Sequence, residues 1–131
     1  MELLTMRGRK PETIVPGASL AAVPRAPAWL SRFAKAEWRR VVPDLVERRL
    51  ITAADLGTVE NFCAAQARVR EIELEMRKGG KVDPVLVRAA DRAMQTARQI
   101  AGELGLTPVS RSRAVIRSAE AESDADDLGL D

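Results

Sequence analysis

The sequence predicts an all-α protein: a short N-terminal helix plus a long antiparallel helical hairpin, with a disordered N-terminal arm and an acidic C-terminal tail. Three observations carry this. Apolar residues recur at steps of three and four through the middle of the chain. Residues that start and stop helices fall at the ends of those runs. The two ends lack any such period: Pro11, Pro16, Pro24 and Pro27 crowd the start, and "AEAESDADDLGLD" at 119–131 holds six acids and no base. The chain therefore divides into a basic, proline-containing arm (1–28), a helical core ending in a short helix (29–118), and the tail (119–131).

The arm reads as extended because each proline removes a donor and biases its predecessor away from helix. Trp29 and Leu30 in "PRAPAWLS" are expected to dock on the core. Ser31 is a side-chain N-cap for the first helix, in which Leu30, Ala34, Trp38, Val41, Val42 and Leu45 share a face. Pro43 predicts a kink or break near Val42. Thr52 with Asp55 three residues on forms a capping box opening the second helix. Phe62, Ala65, Val69, Ile72 and Met76 then step 3, 4, 3, 4. Gly79-Gly80 stops that helix, and Asp83-Pro84 supplies an N-cap and first-position proline for the third. There Leu86, Ala90, Ala93, Ala97, Ile100 and Leu104 repeat the period up to Gly105. The short link between two striped helices makes them an antiparallel pair. A short basic helix, with Arg111, Arg113 and Arg117, restarts at Thr107-Pro108, and the tail beyond it is expected to be disordered.

Composition excludes several functions. With no histidine and one cysteine in 131 residues, an intrachain disulfide, a Cys/His zinc site and a histidine base are all ruled out. Cys63, among helix formers in "VENFCAAQA", reads as a buried thiol. Glu71, Glu73 and Glu75 point in different directions around a helix and read as a surface salt-bridged to Arg68, Arg70 and Arg77. No phosphate loop, dinucleotide fingerprint or nucleophile elbow is present. Thus no catalytic residue, metal or cofactor is expected. No apolar run of about 18 residues spans a membrane and no signal-like segment opens the chain, which predicts a cytoplasmic protein. Aromatics are only 3% of the chain, so its alanine-rich stripes suit assembly between copies. The interface expected for a homo-oligomer is Phe62, Val69, Ile72, Met76, Leu86, Ala93, Ala97, Ile100 and Leu104.

Net charge of +2 conceals a division. The rest of the chain sets 21 Lys and Arg against 13 acids once the six tail acids are removed. A basic body suits a polyanion. "RGRKP" offers Arg7, Arg9 and Lys10 around a glycine, fit for phosphate contact, for lying in an A·T minor groove, or for solubility alone. Arg32, Lys35, Arg39 and Arg40 give the first helix a basic side as a second place for DNA, or a merely solvated face.

Together "MRGRKP", "PAWLS…AKAEWRRVVPDL", "LITAADLGTVENFCAAQARVREIE" and "DPVLVRAADRAMQTARQIAGELGLTPVSRSR" resemble the small subunit of tailed-phage terminases, in the branch with a GRKP-type arm. The resemblance runs from about Met6 to Arg113, and it makes Met6 an alternative start. It implies a non-enzymatic DNA-packaging component that assembles into a ring, engages double-stranded viral DNA, and delivers it to a large subunit carrying the ATPase and nuclease sites. The link "RKGGKVDP" is shorter than the loop of many relatives. Outside the matched region, Glu120, Glu122, Asp124, Asp126 and Asp127 are expected to meet a basic surface of the large subunit, on charge alone. Two other readings stand beside this one: a small dimeric helix-turn-helix regulator, and an assembly adaptor that touches no nucleic acid.

Overall fold

Helix caps account for where each element of this chain begins and ends. The computed structural model describes residues 19–127. Helix α1 spans Arg32–Glu47, a 3-10 turn at Ala53–Asp55 leads into α2 (Leu56–Gly79), and α3 (Pro84–Leu104) and α4 (Pro108–Asp127) follow. Residues 1–18, with Arg7, Arg9 and Lys10, lie outside the described residues, as do 128–131.

At the start of α1 the Ser31 hydroxyl accepts the Ala34 N–H at 3.3 Å. Before α2, the Thr52 N–H donates to the Asp55 carboxylate at 2.8 Å, the carboxylate arm of a capping box. The Asp83 carboxylate accepts the Val85 N–H at 2.9 Å, with Pro84 at the first helical position. Ahead of α4, Thr107 and Ser110 satisfy each other's backbone N–H groups, at 3.0 and 3.1 Å. Helix α2 ends on Gly80 at φ 66° and α3 on Gly105 at φ 79°. The positive φ is what calls for glycine at 105; a Cβ there would also lie 3.1 Å from Leu50 Cδ1, a tight contact that the leucine side chain would have to yield to.

Helices α2 and α3 pack along their length as the antiparallel hairpin that the stripes predict. Ile72 lies by Val85 at one end of the pair, and Phe62 by Ala97 toward the other. Helix α1 lies across α2 and completes the core: Leu30, Trp38, Val42, Leu45, Ile51, Val59 and Phe62 are all buried in one cluster with Ala97 and Leu104.

Four expectations need correction. Pro43 does not break α1, which continues to Glu47. The proline forfeits a helical hydrogen bond to Arg39, at about 3 kcal/mol, but both residues face water. Burial of Val41, Val42 and Leu45 offsets that loss at about 1.5–3 kcal/mol each. Trp29 does not dock: it is 62% exposed and its indole N–H donates to Glu60 at 2.9 Å, whereas Leu30 is buried as expected. The last part of the arm is held, since Leu20 and Ala26 pack on the core and the Trp38 indole N–H donates to the Pro24 carbonyl at 3.0 Å. Finally, the helix that starts at Pro108 is not short. It carries the acidic residues 119–127 in helical form. Alanine and glutamate favour helix, and extending a formed helix gains one hydrogen bond per residue fixed.

Candidate nucleic-acid interface

Cations on α1 divide into free and engaged groups. Arg32 and Arg39 are exposed and Lys35 half-buried, at positions i, i+7 and i+3 of one side. The Arg32 guanidinium lies 4.8 Å from the Phe33 ring centroid, a cation–π contact that leaves its charge outward. Arg40 differs. It grips Glu37 with two hydrogen bonds, one of them from Nε at 3.1 Å, and that ion pair raises the arginine's pKa further.

Glu37 is the site residue that sequence reasoning missed. It is 5% exposed, inside the stripe of Ala34, Trp38 and Val41, and Gln66 of α2 donates to it at 3.5 Å. The signal was present: Glu37 sits three residues after Ala34 and four before Val41, a core position, with Arg40 one turn on. Arg40 is thus a structural partner first, and only its remaining donors face solvent. Replacing Arg40 by Ala should destabilise the chain by about 1–3 kcal/mol, because it strands a buried carboxylate while its own 62% exposure lets water screen the loss. Arg32→Ala should stay within about 0.5 kcal/mol. Urea unfolding of the two variants separates a structural Arg40 from a merely solvated one.

Cys63 is fully buried beside this pair, and desolvation chiefly pushes its thiol up to about 12. It is therefore neutral and shielded, as expected of a core thiol. Among the described residues no group of three or more His, Cys, Asp or Glu could hold a metal ion. Nor is any described helix long and apolar enough to cross a membrane.

The hairpin holds a second basic group, of which sequence reasoning gave Arg68 to salt bridges and passed over Arg88 and Arg92. Arg68 of α2 and Arg88 and Arg92 of α3 rim a groove of about 470 Å³ lined also by buried Ala65 and Ala93, half-buried Ile72 and exposed Val85 and Ala89. The expected bridges do not form. Among the described residues the only ion pair involving Glu71, Glu73 or Glu75 is Lys78–Glu75 at 3.9 Å, and Arg68, Arg70 and Arg77 have none. The i, i+4 spacing of Arg88 and Arg92 was the available signal. A second cleft, of about 420 Å³, gathers Arg40, Arg98 and Arg111 where α1, the hairpin and α4 meet, with Asp44 opposing them.

The residues expected at an oligomer interface are divided by the fold. Phe62, Ala93, Ala97 and Leu104 are buried within the chain. Val69, Ile72, Met76, Leu86 and Ile100 keep partial exposure. More exposed apolar side chains lie elsewhere, among them Leu74, Val82, Val85, Met94, Val109, Val115 and Ile116. Glu120, Glu122 and Asp124 are exposed on α4, and Asp126 and Asp127 belong to its last turn.

Residues 34–121, from α1 well into α4, match the sequence profile of a family described as phage terminase, small subunit. The match covers more than half of the chain. This chain belongs to the phage terminase small-subunit family. No curated protein and no solved structure matches it. Terminase small-subunit membership supports a role in phage genome packaging, and it spans the hairpin, both basic grooves and the Glu37–Arg40 pair. The arm before residue 34 and the residues after 121 fall outside the matched stretch.

Proposed function

We propose that the chain is a non-enzymatic packaging component of a phage. In this reading it self-associates, engages double-stranded viral DNA through fixed and arm-borne cations, and passes it to a terminase large subunit in the host cytoplasm. The single observation that carries the proposal is the family match across 34–121. Unpaired cations on α1 and on the hairpin add physical support, since a protein that neutralises phosphates gains affinity by releasing counterions. Arg7, Arg9 and Lys10 are proposed as arm contacts and Arg32, Lys35 and Arg39 as helix contacts. The acidic end, including Asp124, Asp126 and Asp127, is proposed to meet the large subunit. Catalysis is left to that partner.

The dimeric helix-turn-helix regulator fits less well. Eight residues, Arg48 to Asp55, separate α1 from α2, longer than the three- or four-residue turn of that motif. Native mass spectrometry of the full chain, alone, with duplex DNA and with the large subunit, tests the proposal. A species that takes up both DNA and the large subunit is expected. A dimer that holds one operator sequence and ignores the large subunit would overturn it, and so would a chain that binds neither.

A further inference from the structure

We infer that the arginine-rimmed hairpin groove is the receptor for helix α4 of a second copy of this chain. The two surfaces match in chemistry. The groove has an apolar lining and three arginines on its rim, none paired with a carboxylate among the described residues. Helix α4 carries Val109, Val115, Ile116 and Ala119 on one broad side, all exposed; Arg111 and Arg113 flank the N-terminal part of that side, and Glu120 and Glu122 flank its C-terminal part. The acid-edged C-terminal part of that side, around Ile116 and Ala119, is the part that meets an apolar trough edged by bases.

The chain's own α4 does not use this groove. It leaves α3 after Gly105 and touches little beyond the end of that helix, whereas the groove lies on the first half of α3, between Val85 and Thr96. A 20-residue helix is about 30 Å long, and most of a helix's stability in a protein comes from packing one of its faces, beyond what propensity and extension supply. Docking on a second copy supplies that packing. It also favours a helix over DNA as occupant, because phosphates would meet Arg68, Arg88 and Arg92 but leave the apolar lining with no partner. Passed on in one direction, the contact closes a ring, and exchanged reciprocally it closes a dimer. Glu120 and Glu122 are then taken by the neighbouring copy, which leaves Asp124, Asp126 and Asp127 for the large subunit.

The inference rests on the proposed function only in taking the chain to self-associate. The test is sedimentation of the full chain in three forms: Arg88→Glu with Arg92→Glu, Glu120→Arg with Glu122→Arg, and all four together. Every position changed is exposed, so helicity should be unaltered. Each pair should weaken association by about tenfold or more, and the fourfold variant should recover it, since like charges facing one another are replaced by opposite ones. Ile116→Asp, which reverses no charge, should weaken it as well. A monomeric parent, an unchanged mass in either charge-reversed pair, or a fourfold variant that stays dissociated overturns the inference. So does a groove variant that loses DNA while keeping its mass, which would make the groove a phosphate site. DNA titration of the parent distinguishes the two proposals: a monomer that binds DNA removes the docking alone, and an assembly that ignores DNA removes the packaging role alone.

Discussion

Trp38→Ala is expected to cost about 3–5 kcal/mol of stability, a fifth or more of the roughly 5–15 kcal/mol that a domain possesses. The indole is 2% exposed at the centre of the face α1 turns toward α2, and its N–H donates to the Pro24 carbonyl. Truncation therefore opens a cavity and releases the stretch that brings Leu20 and Ala26 onto the core. Trp38→Phe keeps most of the packing and loses the hydrogen bond, and should cost about 1–2 kcal/mol. Urea denaturation of both variants gives the comparison. Hydrogen exchange at residues 20–30 should rise in both. Protection there that survives Trp38→Ala would mean that the stretch is held by Leu30 and its neighbours instead.

The other large effect concerns salt. If the arm carries the DNA contact, changing Arg7, Arg9 and Lys10 together to Ala should flatten the log–log dependence of affinity on salt by about 2–3, at about 0.9 per phosphate lost. The matched variant on α1 is Arg32, Lys35 and Arg39 to Ala. Arg40 is left out of it, because its loss would damage the fold through Glu37 and confuse binding with stability. Arms presented side by side in an assembly would add weak contacts through avidity, so the arm variant should weaken binding to every sequence alike. An arm variant with the parental slope beside a flattened α1 variant would reduce "RGRKP" to a solubilising segment.

Local chemistry made the helix boundaries legible. Ser31, Asp55, Asp83 and Gly105 each act on backbone groups within a few residues, so their roles follow from neighbours in the sequence. What escaped depended on partners far along the chain. Pro43 obeys a local rule that burial of Val42 and Leu45 overrides. Trp29 is as apolar as Leu30, yet only the fold decides which of the two finds the interior. Glu37 was hidden by its charge, since an acid in an apolar stripe is acceptable only when Arg40 and Gln66 converge on it. Likewise, alanine stripes announce close helices without saying whether the neighbour belongs to the same chain. Here Ala93 and Ala97 are used within the hairpin, and the groove beside them is legible only once Arg68 is brought opposite Arg88 and Arg92.

The chain's one thiol, Cys63, lies fully shielded between α1 and the hairpin. A maleimide cannot reach it until those helices part, so the uptake of label counts their excursions. The natural sequence thereby carries its own clock for the opening of its core. Read with and without DNA or a second copy, that clock would report which partner tightens the body of the protein and which engages only its extremities.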